Sequence, residues 1–132
     1  MPTMPPIFEP TIHRVSADER GEIYAISLPG DRELLLLHSK KGTYRGGHSH
    51  DVDEQVLFLT GKMRYYKRSV SGEERVEDVE GGVSSFNPAH EVHMGEFLED
   101  TWLLEWKIGT NKWQWTNRNY APWRERVDAA SR

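Results

Sequence analysis

Short runs of aliphatic, aromatic and β-branched residues, each closed by turn chemistry, follow one another from residue 11 to residue 108. Their spacing predicts strands over Thr11–Val15, Gly21–Leu28, Glu33–His38, Gln55–Thr60, Lys62–Arg68, Glu74–Val79, Val83–Phe86 and Thr101–Ile108. Pro29-Gly30-Asp31, Lys41-Gly42, Thr60-Gly61, Val70-Ser71-Gly72 and Gly81-Gly82 divide them, residue types that accept the backbone angles of tight turns. No stretch before residue 117 keeps apolar residues at helical spacing, which argues against a helical bundle. Many short strands with regular turns imply an all-β sandwich or barrel, and 132 residues suffice for one core and one domain.

The ends differ from the middle. Residues 1–10 carry four of the seven prolines and read as an extended arm. The barrel is expected over residues 11–109, with residues 110–132 as a tail packing on its wall, its mouth or a second subunit. The tail's Trp113–Trp123 is aromatic but broken by Asn and Pro, and Arg124–Ala130 reads as a short helical turn or a frayed end. Lys67-Arg68 and Glu73-Glu74 flank Ser71-Gly72, the pattern of a solvated hairpin with opposite charges facing across its strands.

A net charge of −4 with both signs interspersed gives no footing for nucleic acid or an anionic membrane as partner. The chain has no cysteine, which removes disulfides, thiolate ligands and a cysteine nucleophile together. The first ten residues hold no apolar run able to act as a signal peptide, and no segment reaches membrane-spanning length. A cytoplasmic location is therefore expected.

The chemistry concentrates in two segments. Gly42–Gly61 reads GTYRGGHSHDVDEQVLFLTG, and on an extended chain His48 and His50 project to one face. Glu54 follows a short Asp-rich turn. Gly82–His93 reads GVSSFNPAHEVH and ends on a further histidine. Three imidazoles and a carboxylate converging in a barrel suit one divalent first-row metal, with coordination positions open to substrate or oxygen.

The first segment resembles the first cupin motif, G-x5-H-x-H-x3-E-x6-G, at Gly42, His48, His50, Glu54 and Gly61. The second is similar to the second cupin motif, G-x5-P-x-G-x2-H-x3-N, through Gly82, Pro88 and His93. His90 stands where that pattern has Gly, and Phe97 where it has Asn. The resemblance implies a double-stranded β-helix of two antiparallel sheets, a metal inside one end on His48, His50, Glu54 and His93, and commonly a homodimer. His13 and His38 read as ordinary surface or core histidines, and His90 as a candidate for the pocket wall.

Strand parity supplies the rest of the pocket. An inward Glu54 predicts inward Val56 and Phe58. In Lys62–Arg68, either Met63, Tyr65 and Lys67 or Arg64, Tyr66 and Arg68 look into the barrel. An inward Tyr65 could serve as acid, base or hydrogen-bond donor, with Met63 beside it in the substrate wall. Glu105, flanked by apolar residues, is a candidate second carboxylate of the cavity; the simpler account makes it solvent-facing and paired with Lys107 or a neighbouring strand. Tyr44 and Arg45 precede the metal motif and are candidates for substrate contact, Arg suiting a carboxylate or phosphate.

Fold and ligands leave the reaction open. The first expectation is a metal-dependent enzyme acting on a small polar molecule, a dioxygenase with Fe(II); Mn, Ni, Cu and Zn suit the same ligands. A second comes from RGEIYAI and KKGTYRGGHSH, which look like the opening of cupin sugar-nucleotide isomerases and epimerases that rely on a His base. A third is a non-catalytic barrel that binds a small ligand.

Overall fold

A computed structural model describes residues 9–110 and 117–130. The expected arm therefore lies almost wholly outside the described residues, as does part of the aromatic tail. The strands are β1 (Thr11–Asp18), β2 (Gly21–Leu28), β3 (Arg32–Ser39), β4 (Tyr44–His50), β5 (Asp53–Thr60), β6 (Lys62–Arg68), β7 (Glu74–Glu80), β8 (Ser84–Asn87), β9 (Val92–Phe97), β10 (Thr101–Ile108) and β11 (Asn117–Asn119), followed by helix α1 (Ala121–Ala130). They form a six-stranded sheet in the order β1-β2-β3-β10-β5-β8 and a five-stranded sheet in the order β11-β4-β9-β6-β7, with every pairing antiparallel.

The inner faces of the two sheets make the main core, as strand alternation requires. Val56 and Phe58 of β5 are each 1% exposed, and Leu35, Leu37, Leu103 and Phe97 pack with them. On β6 the inward set is Met63, Tyr65 and Lys67. Lys67 corrects the expected solvated hairpin: it is buried and donates to Ser85 Oγ at 2.6 Å and the Phe86 carbonyl at 3.0 Å. The cross-strand ion pairs of that hairpin include Arg68–Glu74 at 3.0 Å, Arg64–Asp78 at 2.9 Å and Lys67–Glu77 at 3.8 Å.

Strand β10 also turns differently from the simpler expectation. Thr101, Leu103 and Lys107 are buried on its inward face, and Trp102 and Ile108 are exposed on the outward one. Glu105 shares the inward face, so it is not part of a solvent-facing Glu105–Lys107 pair.

Two strands that carry the motifs, β4 and β9, were not expected as strands. β4 reads YRGGHSH and lacks an apolar alternation because imidazoles occupy its inward positions. β9 reads VHMGEF and is buried on both faces, with His93 inward and Met94 fully covered on the outside.

The cover over Met94 comes from the tail. Trp123 and Val127 of α1 pack on Met94, joined by Tyr44, Tyr66, Val92 and Tyr120, as a second small core outside the five-stranded sheet. A ten-residue helix thus replaces the expected short turn. It rests on Gly47, whose φ is +75° and whose missing Cβ would lie 2.9 Å from the Arg124 nitrogen. Only a glycine serves there without strain or displacement. Among the described residues no helix is long and apolar enough to cross a membrane.

Candidate metal centre and its cavity

The geometry of β4 and β9 gathers the histidines. His48 and His50 lie two apart on β4, and His48 is paired with His93 on β9. Their ring centroids stand 4.6, 4.9 and 5.0 Å apart, and one nitrogen from each can lie within 4.8 Å of the others. Burial disfavours the charged imidazolium, lowering His48 to about 4 and His50 to about 2, and placing His93 well below the usual value. Three neutral imidazoles facing one point are ready to donate lone pairs without first losing protons.

Glu54 begins the inward face of β5 and is 1% exposed. Its Oε2 lies 3.6 Å from His50 Nε2 and its Oε1 3.6 Å from His93 Nε2. With neutral imidazoles these are neither ion pairs nor hydrogen bonds. They are a little wider than the roughly 3.0–3.4 Å edge kept by ligands about 2.1 Å from a shared ion. The three imidazoles fit one divalent metal ion, and Glu54 stands beside two of them as a carboxylate able to join the donor set.

Two groups hold the carboxylate from behind. Asn87 Nδ2 donates to Glu54 Oε1 at 2.9 Å, and Lys107 Nζ donates to Oε2. Asn87 also donates to the Tyr65 hydroxyl at 2.6 Å, tying the carboxylate to the tyrosine. Neither Asn87 nor Lys107 is among the sequence-predicted residues. The signal for Asn87 was its place directly before Pro88 in the second motif; Lys107 gives none, since lysine usually reads as surface. Such supporting groups orient ligands and tune the ion they hold.

In front of the histidines opens a cavity of about 480 Å³. Met63, Tyr65, Arg45 and Glu105, all candidates for the pocket wall, line it. Burial raises the Tyr65 hydroxyl well above its usual value, and the Glu54 charge adds to this. Burial and then the Glu54 charge raise Glu105 to about 8, against the opposing pull of Lys107 and Arg45. Arg20, from the turn after β1, and Asn117, Asn119 and Arg124, from the tail, complete the wall and were missed. Arg20 opens the RGEIYAI stretch, and the other three are polar residues inside an aromatic segment, which does not say where the segment docks.

Two sequence-predicted residues are not brought to the cavity. Tyr44 points to the outer face under α1, where its hydroxyl donates to Glu96 Oε2 at 2.9 Å. His90 is exposed, and its part is played by the backbone: at φ +70° its N–H donates to the His50 carbonyl at 2.7 Å. That left-handed conformation explains why the motif has Gly there. His38 sits 2.7 Å from Glu22 Oε2 and stacks on Trp102, and His13 is exposed on β1, both away from the metal centre.

The Glu105 environment has a measurable consequence. Between about pH 5 and about pH 8 an unfolded chain releases the Glu105 proton while the folded one keeps it, so this group makes stability fall as pH rises. A Glu105→Gln variant will lack that slope, and the urea midpoint difference, variant minus wild type, will grow from pH 5 to pH 8. A constant difference across that range would show an ordinary, solvated carboxylate.

Two antiparallel sheets closed over a histidine triad, with both motifs meeting at one end, define a cupin, and this chain has the cupin fold. No protein-family model matches the sequence, and no curated protein does. Solved structures do. The chain is similar to oxalate decarboxylase of Bacillus subtilis, a protein with Mn(II) centres, at 21% identity and a TM-score of 0.70, over 90% of this chain and 34% of that one. It is also similar to the capsular polysaccharide assembling protein CapF of Staphylococcus aureus, at 25% identity and a TM-score of 0.66, over 77% of this chain and 29% of that one. The chain thus spans about a third of the length of these structures.

Proposed function

We propose that this cupin is a metal-dependent enzyme acting on a small polar molecule, and that its reaction is an oxygenation. The observation that carries the reading is the triad itself: three imidazoles kept neutral by burial, backed by Glu54, and opening on a cavity of about 480 Å³. That volume suits a small molecule. A redox-active divalent ion bound there, Fe(II) in the first instance, would supply Lewis acidity and electrons to substrate and O₂.

The chain's own residues supply the remaining functions. Lys107 and Asn87 fix the Glu54 carboxylate. Glu105, pushed up to about 8 mainly by burial, can donate a proton to a bound molecule, and the Tyr65 hydroxyl can donate a hydrogen bond from the same wall.

Oxygen uptake tests this reading. Protein loaded anaerobically with Fe(II) and then offered small acids and diketones in turn is expected to consume O₂ with at least one of them. The Mn-loaded and Zn-loaded forms are expected to show which part of the rate is redox. Substrate turnover without O₂ uptake would instead indicate lyase or isomerase chemistry. The likeness to CapF supports a second reading, a sugar-nucleotide isomerase or epimerase using one of the neutral histidines as base. Binding of a nucleotide-sugar to metal-free protein would favour it.

A further inference from the structure

Arg45 and Glu105 are two ionisable groups of the cavity wall that stand in no ion pair among the described residues. Arg45 reaches from β4 to β3, where Nε donates to Ser39 Oγ at 2.7 Å and Nη2 to the His38 carbonyl at 3.4 Å. Both partners are neutral, and among the described residues no carboxylate lies within ion-pair distance of this guanidinium. The Glu105 side chain, on β10, has no hydrogen-bond or ion-pair partner among the described residues. The other guanidinium groups of the wall are engaged. Arg20 grips Asp18 through Nε and Nη2, and Arg124 holds the Gly46 carbonyl and Asp128.

A half-buried cation without a counter-ion is costly unless a ligand brings the charge. Burial and then the like charge of Arg20 lower Arg45 only to about 10, so it stays charged at neutral pH, and Asp18, Glu105 and Glu22 oppose that shift from a distance. A planar guanidinium matches the two oxygens of a carboxylate. The Glu105 carboxyl lines the same cavity and, when protonated, can donate a further hydrogen bond to the same anion.

We propose that the cavity binds a small monocarboxylic acid, its carboxylate on Arg45 and Glu105 and its second oxygen function toward His48, His50 and His93. The carboxylate subsite stands on Arg45 and Glu105 alone; only the placing of the second oxygen rests on the metal-centre reading. A monoanion is favoured over phosphate because one guanidinium balances one negative charge, and a dianion would bear on Glu105.

Calorimetric titration of both Mn²⁺-loaded and metal-free protein tests this, using pyruvate, glycolate and 2-oxobutyrate with their neutral amides. At least one acid is expected to bind, with its amide roughly tenfold weaker or worse. Arg45→Lys is expected to weaken the acid by about tenfold, and Arg45→Met more, with the Mn²⁺ content of both variants unchanged. The comparison of acid with amide in the wild-type protein keeps the test intact should a variant not fold. Equal binding of acid and amide, undiminished acid binding in folded Arg45 variants, or no acid bound at about 20 mM would overturn the proposal. So would inorganic phosphate binding more tightly than any of the acids. Acid binding that depends on Arg45 in a protein retaining no Mn²⁺ would uphold the subsite and sink the metal reading instead.

Discussion

A His48→Ala/His50→Ala double variant will leave purification with less than about a tenth of the divalent metal carried by the wild-type protein, when both are prepared without chelator. The expectation follows from arithmetic on the donor set. Removing two of three imidazoles leaves only His93 and Glu54, and Glu54 already gives one oxygen to Asn87 and the other to Lys107. One histidine and a shared carboxylate do not hold a first-row ion against water. His13→Ala and His90→Ala are the proper controls, because both side chains are exposed and away from the triad. Metal analysis of the four proteins, each checked for native circular dichroism, decides the matter. Equal and negligible metal in wild type and double variant would falsify the metal centre, whatever the fold.

Much of this architecture could be read from the chain, and what could not has a common physical cause. The strands β5, β6 and β10 announce themselves because one face is apolar and the other is not. The strands β4 and β9 do not, because His48, His50 and His93 take inward positions that an apolar alternation would fill. Spacing relative to Glu54 and Gly61 finds these ligands where hydrophobic periodicity fails. Parity named Met63 and Tyr65 in the right wall but left two faces open. The choice was fixed by packing against β9 and β5, which involves contacts distant in sequence. Tyr44 shows the limit most plainly. Parity counted back from the inward His48 and His50 puts Tyr44 inside, but the bulge at Gly46-Gly47 reverses it, so Arg45 faces the cavity and Tyr44 packs outside under the unexpected α1. The same helix explains why Arg124 could not be foreseen as part of the wall.

The lysine behind the metal ligands gives the second large effect. Lys107→Met will destabilise the metal-free protein by about 3–5 kcal/mol, because it leaves the Glu54 carboxylate buried without its cationic partner. For a chain of this size that is a fall in melting temperature on the order of 10 °C or more. Methionine nearly preserves the volume of the aliphatic stem, so the loss reports charge rather than a cavity. Two further measurements separate this account from simple damage to the core. A divalent ion can replace the missing cation, so saturating Mn²⁺ will restore more stability to Lys107→Met than it adds to the wild type. The ion will also bind the variant more tightly, since Glu54 no longer divides its charge with an ammonium group. Removing both charges in Lys107→Met/Glu54→Leu will recover most of the metal-free stability, because neither group is then left unpaired, while abolishing the extra rescue by Mn²⁺. A Lys107→Met variant as stable as wild type would mean that Glu54 takes up a proton or reaches water when the lysine is gone, and the buried pair would then have no part in presenting the carboxylate to the ion.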